Sequence, residues 1–362
     1  MARIAILTPS ITSGDAVSND VVHMRHVLER RGFESKIFAE GWTLTTPKIL
    51  PFDRVTGFLK SPGDILLYHY SRGWDPGLDL LNNLKCRTVV RYHNVTPPEF
   101  FLNYNPELAA MCLAGREQLK PIADAGADRY LSASAYSMRE LMKAGAAEAD
   151  SFVVPPFHHV ARLNSMNADQ DVLRRYDDGK VNICMVGRVA PNKSHPALLE
   201  AFAAYYHDHN SNSRLLIVGK EEGRLRSYSQ LLREMVNRLR LRDAVIFTGE
   251  VSEAELKAYY QCAHVFMMTS EHEGFCVPIV EAMAMGKPIV AYSSSAIPET
   301  VGDAGIVWDE RNPHLLAESI RSVTTDRKLA DAISAKGRRR YEEHFTNERI
   351  EEKFLNAMSG IL

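Results

Sequence analysis

The chain has 362 residues, 45% hydrophobic and 24% charged, with a formal net charge of −2. That length is more than one hydrophobic core usually serves and points to two domains, while the near-neutral balance gives no electrostatic argument for a nucleic-acid partner, and none is expected. No apolar run approaches the roughly 18 residues of a transmembrane helix, and the opening run at residues 4–7 is too short for the core of a signal peptide, so a cytoplasmic protein is expected. The cysteines, Cys86, Cys112, Cys184, Cys262 and Cys276, are odd in number and widely spaced, which reads as reduced thiols rather than a disulfide frame. Cys276 stands apart, because a thiol at a helix N-terminus is expected to have a lowered pKa.

Residues 4–7 read as a strand, 9–20 as a turn, and 21–31 as an amphipathic helix ending at Gly32. Short apolar strands follow at 35–39, 64–69, 88–92 and 128–133, and Val153-Val154 precedes Pro155-Pro156. Strands alternating with helices indicate a parallel sheet covered on both faces. The polar stretch 158–180 is the candidate linker. The alternation then restarts, with strands at 182–186, 214–218, 244–248, 264–268 and 288–292 and helices at 196–207, 224–240, 253–262 and after Glu273. Residues 315–358 are helical by period. The expected organisation is therefore α/β with two doubly wound domains: 1–160, a linker at 161–180, and 181–342, with about 343–362 joining the first domain.

Open parallel sheets bind ligands beyond the carboxyl ends of their strands, so the loops after strands are the candidate sites. In the first loop Gly14 and Asp15 precede the opening helix, where a bare backbone and helix amides could face a ligand; a plain turn is the alternative. His93 ends a strand and could bond to a sugar hydroxyl or to developing charge. Gly187 and Arg188 follow another strand, and Lys193 lies five residues beyond Arg188; two cations so placed can both reach one diphosphate. Thr248, Gly249 and Val251 form a turn able to meet a nucleobase edge with backbone groups. The strongest stretch is 271–288. Glu273 and Glu281 have seven residues between them, Pro278 suits a first helical turn, and the N–H groups of Phe275, Cys276 and Val277 are expected to be free anion donors. Asp169 and Asp171 have D-x-D spacing but fit a helix N-cap better than a metal site.

Taken together, these residues resemble the retaining glycosyltransferases of the GT-B architecture that carry the E-x7-E motif, the group 1 enzymes of family four. The resemblance rests on Glu273 and Glu281, on Gly187-Arg188 with Lys193, on Phe247-Thr248-Gly249, and on the run at 296–305. The first domain is similar more loosely, through its Gly14–Val17 turn and the run at 92–97, to a bacterial branch that transfers mannose, rhamnose and related hexoses in surface polysaccharide assembly. Many relatives have a double glycine where this chain has Ser13-Gly14. The resemblance implies two Rossmann-like domains facing a deep cleft, with an acceptor-binding first domain, a nucleotide-sugar-binding second domain, and a C-terminal helix returning to the first.

It also implies roles. Arg188 and Lys193 would neutralise the departing diphosphate, Glu273 would hold the sugar hydroxyls, Glu281 the ribose, and His93 the donor sugar near its anomeric carbon. The remaining donor-side positions would be Gly14, Asp15, Gly187, Gly219, Thr248, Val251, Gly274, Phe275, Cys276 and Val277. The implied reaction moves a hexose, mannose favoured with GDP as carrier, to a saccharide or lipid-linked acceptor by a front-face route without metal or other cofactor. A nucleotide-sugar 2-epimerase of the same fold is the alternative, and a non-catalytic nucleotide-sugar sensor is disfavoured because binding alone has no use for leaving-group stabilisation. Arg25, Arg30 and Arg31, with Arg338, Arg339 and Arg340, raise peripheral contact with an anionic membrane as an expectation, against the alternative of solvated helix faces.

Overall fold

A computed structural model describes residues 2–12 and 14–362, so the Ser13 position of the first loop lies outside the described residues. The chain divides into two compact units. The first comprises Met1–Glu99, Glu107–His159 and Asn347–Leu362, and the second Phe100–Pro106 and Val160–Thr346.

The first unit holds β1 (Arg3–Ile11), β2 (Glu34–Trp42), β3 (Ile49–Pro51), β4 (Ile65–Tyr70), β5 (Arg87–Tyr92), β6 (Arg129–Ser132) and β7 (Ser151–Val153). They form one sheet in the order β3-β2-β1-β4-β5-β6-β7, and every neighbouring pair is parallel. Strand side chains alternate between faces, and β1 shows the result. Ile4 and Ile6 enter one core with Val21, Met24 and Leu28 of the helix Ala16–Arg30, and with Ile350 and Phe354 of the last helix, Asn347–Ala357. Ala5 and Leu7 enter the core on the other face, with Tyr68, Tyr92 and Leu141. A strand covered on both sides must be apolar throughout, which is why Ile4–Leu7 carries no polar residue.

The second unit holds β8 (Val181–Val186), β9 (Ser213–Val218), β10 (Val245–Gly249), β11 (Val265–Met268), β12 (Ile289–Tyr292) and β13 (Ile306–Trp308). Their order is β10-β9-β8-β11-β12-β13, again parallel throughout. In each unit the strand order reverses beside the first strand, between β1 and β4 and between β8 and β11. Such switch points open crevices at the strands' carboxyl ends.

Several expectations need correction. The first helix begins at Ala16 rather than near residue 21, because the Asp15 side chain caps it by accepting from Ser18 N–H. The stretch 161–180 is not an open linker: it contains the helices Val160–Ser165 and Gln170–Tyr176. Lys257 Nζ holds the first, donating to the carbonyls of Asn164 and Met166 at 2.6 and 2.7 Å. Asp169 caps the second, accepting from the N–H groups of Asp171 and Val172, in keeping with the cap reading of the D-x-D spacing. Phe100–Pro106 lies inside the stretch expected to be wholly first-domain, yet it packs with the second unit: Tyr104 stacks edge-on against Tyr228 with centroids 5.0 Å apart, and Asn105 donates to Arg224 O at 3.0 Å. The helical tail divides into Pro313–Thr325, Arg327–His344 and Asn347–Ala357, with Asp326 capping the second of these.

Candidate active site

In the second unit, β8 runs into Gly187, and the loop closes through a short 3-10 turn, Pro191–Lys193, before the helix His195–Asp208. β11 runs into Thr269 and Ser270 and on to the helix Val277–Ala284. Because β8 and β11 are neighbours across the switch point, these two loops lie side by side and are cross-linked. The N–H groups of Glu271 and His272 donate to Asn192 O, Asn192 Nδ2 donates to His272 O, and Ser194 Oγ donates to Glu271. Lys193 Nζ sits 2.5 Å from Glu273 Oε1, with both side chains largely covered, at 14% and 9% exposure. Ser270 Oγ also donates to that oxygen at 2.7 Å, and Ser295 Oγ accepts from Glu273 N–H. A carboxylate so enclosed needs a cation and hydrogen-bond donors, and it has both.

Arg188 is placed differently. Its side chain is 66% exposed, and its guanidinium pairs with Glu222 Oε1 at 2.5 Å. The two cations are thus not clustered; each has its own carboxylate.

The helix after Glu273 starts as its sequence suggests, with Pro278 in the first turn. The N–H groups of Phe275, Cys276 and Val277 find no acceptor among the described residues. Cys276 takes a left-handed conformation, φ 79°, which turns the chain sharply into the helix. Thr300 Oγ1 fixes the bend by donating to Phe275 O at 2.8 Å. The expectation of a lowered Cys276 pKa is overturned: burial, reinforced by the Glu273 charge, holds the thiol well above its ordinary value. Glu281 lies one turn into the helix and accepts from the Tyr260 hydroxyl at 2.6 Å. Its carboxyl is raised above the usual carboxylate range by burial, an effect that the Tyr260 hydrogen bond opposes.

Gly187, Gly219 and Gly249 end three adjacent strands in conformations with φ of 150°, 149° and 73°. A Cβ on Gly219 would stand 2.1 Å from Gly187 O, so that glycine is required by backbone packing whatever it meets in a ligand. Thr248 Oγ1 is turned to Gly249 O, and Gly219 N–H donates to the same carbonyl. Val251 and Gly274 are partly exposed.

In the first unit, Gly14 is left-handed with open space around its Cα, and Asp15 is committed to its capping role. His93 follows β5, and its Nε2 lies 2.9 Å from His69 Nδ1 on β4. Beneath them Asp20, on the first helix, accepts from Arg91 Nε at 2.8 Å and from Phe157 N–H at 2.8 Å, while Arg91 also donates to Val154 O at 2.6 Å. Burial, with the nearby Arg91 charge, lowers both histidines well below their ordinary pKa and keeps them neutral. Asp20, His69 and His93 bring three metal-ligating atoms within 4.8 Å of one another. The guanidinium already bonded to Asp20 opposes a second cation there.

Sequence reasoning missed Asp20, His69, Ser270, Asn192 and Tyr260. A signal was present at Arg91, a charge placed between Val89-Val90 and Tyr92 at the buried end of its strand, which had to find a partner. The arginines considered for membrane contact are largely engaged within the protein. Arg25 pairs with Glu29, Arg30 and Arg31 with Glu351, and Arg340 donates to the carbonyls of Glu299 and Thr300. Among the described residues no helix is long and apolar enough to cross a membrane.

Comparison with known proteins adds a family. Residues 168–340 match the family described as Glycosyl transferases group 1. A GDP-mannose-dependent alpha-mannosyltransferase of Mycobacterium tuberculosis is 28% identical over 92% of this chain and 87% of its own length. A GDP-mannose-dependent alpha-(1-6)-phosphatidylinositol monomannoside mannosyltransferase of the same organism is 28% identical over 69% of this chain; the match spans 66% of that relative, just under two thirds. Among solved structures, Anabaena HepE in complex with UDP and glucose superposes with a TM-score of 0.76 over 99% of this chain and 100% of its own, at 16% identity, a likeness that speaks to the fold alone. The two parallel sheets are those of the GT-B architecture.

Proposed function

From the match of residues 168–340 to the group 1 glycosyltransferases, we propose that this chain moves a hexose, mannose favoured, from a nucleoside diphosphate sugar to a saccharide or lipid-linked acceptor with retention of configuration. The observation that carries the reading is the Lys193–Glu273 pair, set beside the unclaimed N–H groups of Phe275 to Val277 at the β8/β11 switch point. Breaking the bond from the anomeric carbon to phosphate leaves positive charge on the sugar and new negative charge on the diphosphate. Donors aimed at the phosphate therefore act mainly on the transition state. Lys193 and the helix amides are such donors, and Arg188 joins them by leaving Glu222. Glu273 faces the sugar hydroxyls and Glu281 the ribose, while His93 belongs to the sugar side.

In the proposed front-face route, the bond from the anomeric carbon to the phosphate oxygen breaks, the acceptor's hydroxyl oxygen bonds to that carbon on the face the phosphate vacates, and the hydroxyl proton passes to the leaving phosphate oxygen. No protein nucleophile is needed, and the cationic side chains supply the charge that a metal would otherwise bring. GDP-mannose is favoured because both mycobacterial relatives named above are described as dependent on it. The test is calorimetric titration of the full chain with GDP, UDP and dTDP in excess chelator. Tightest binding of GDP, weakened in Lys193→Ala, is expected; failure of all three to bind overturns the reading.

A further inference from the structure

We propose that His69 is a positioning residue that fixes the tautomer of His93, so that His93 presents an N–H donor at Nδ1 and cannot serve as a base. The inference rests on the reading above in giving His93 a place beside the donor sugar, but its geometry stands independently. His69 Nδ1 and His93 Nε2 face each other at 2.9 Å, with the rings 25° from parallel. Both rings are neutral, so one hydrogen lies between the two nitrogens, and the question is which ring supplies it.

His69 decides it. Its Nε2 is buried and has no hydrogen-bond partner among the described residues. A hydrogen there would be an orphaned buried donor, which costs about 1–3 kcal/mol, whereas an unfilled acceptor lone pair is tolerated more readily. His69 therefore carries its hydrogen on Nδ1 and donates to His93 Nε2. With Nε2 accepting, the neutral His93 ring carries its own hydrogen on Nδ1. No hydrogen bond is made at that edge among the described residues, and the side chain keeps 6% of its surface exposed. Asp20 Oδ2, at 3.9 Å from His69 Nδ1 and 3.7 Å from His93 Nε2, favours a hydrogen in the gap from either ring and so does not decide the direction. Arg91, bonded to Asp20, disfavours a second proton on either ring.

The consequence for the reaction is specific. His93 can donate to a sugar hydroxyl or a phosphate oxygen, but neither of its nitrogens is free to accept the acceptor's proton. That proton is left to the departing phosphate.

The experiment is imidazole nitrogen NMR on the full chain labelled in histidine, without nucleotide, with His93 assigned from the spectrum of His93→Gln. Protonated Nδ1 and bare Nε2 are expected for His93; a His93 protonated at Nε2 overturns the proposal. His69→Asn places an amide donor near the former Nδ1 and is expected to keep both the tautomer and most of the turnover. His69→Leu is expected to mix the two tautomers and to lower kcat on the order of tenfold, as loss of an orienting partner does for other functional imidazoles, with donor KM unchanged. A Leu variant with the wild-type tautomer and rate also overturns it. Should the chain transfer no sugar, the spectra still decide the tautomer; should the Leu variant fail to fold, the wild-type spectrum does so alone.

Discussion

Lys193 and Glu273 meet at 2.5 Å from the ends of two neighbouring strands, and Ser270 donates to the same carboxylate oxygen that the lysine holds. The ion pair gives a largely covered carboxylate its partner, and on the proposed function it holds the lysine ready for a diphosphate.

Lys193→Ala is therefore expected to lower sugar transfer by on the order of 10²- to 10³-fold, the usual effect of deleting one donor to developing negative charge. Steady-state rates with GDP-mannose and a glycan acceptor check this. Because the change also strands Glu273, Lys193→Ala with Glu273→Gln is expected to recover stability but not rate, measured by urea unfolding alongside turnover.

Glu281 ties stability to pH. Its folded pKa is raised, so protonation is favoured in the folded state, and the benefit is present at low pH and lost as pH rises through the folded value. Glu281→Gln is therefore expected to raise Tm over wild type near neutral pH, with the difference shrinking as pH falls toward about 4, near the unperturbed carboxyl value. Tyr260→Phe removes the hydrogen bond that opposes the shift and moves the crossover to higher pH. Thermal unfolding of the three proteins across the range from about pH 4 to about pH 8 measures both effects.

Asp20 and Arg91 are both fully buried and bonded at 2.8 Å. Breaking such a pair from one side costs about 3–5 kcal/mol, so Arg91→Met is expected to lose that much in chemical denaturation. Asp20→Leu with Arg91→Met, which leaves no orphaned charge, is expected to lose less than either single change.

The two loop glycines separate packing from function. Gly219→Ala drives a Cβ to within 2.1 Å of Gly187 O and should unfold the second unit or lower its stability severely, while Gly14→Ala, with nothing within 4 Å, bears only the penalty of its left-handed backbone, about 1–2 kcal/mol. Denaturation midpoints distinguish them.

Much of this architecture was legible because its physics is local. The run Ile4–Leu7 announces a strand covered on both faces, and Pro278 with the apolar turn after it announces a helix start beside Glu273. The turn chemistry of Asp15 and Asp169 is legible in kind but not in extent: the D-x-D spacing suits Asp169 or Asp171 as a cap, and Asp169 is the one that caps, whereas Asp15 also suits a ligand contact, and the helix it starts begins five residues before its apolar period indicates. What stayed hidden depends on pairing across the sheet. Nothing near His93 in sequence reveals His69 on the adjoining strand, and nothing near Glu281 reveals Tyr260. Arg188 and Lys193 looked like one cluster by spacing, yet each folds toward a carboxylate from a different loop. Cys276 shows the limit of a positional rule, since burial and the neighbouring Glu273 outweigh the helix end.

The excursion of Phe100–Pro106 into the second unit, together with the return of Asn347–Leu362 to the first, bears on how such proteins can be recombined. Neither unit is encoded by an unbroken stretch of gene. A chimera that takes residues 1–160 from a relative would import a foreign segment against Tyr228 and leave the last helix facing a core it was not selected to fill. The workable exchange carries the terminal helix with the first unit and retains the native Phe100–Pro106, so the seam follows packing rather than sequence order.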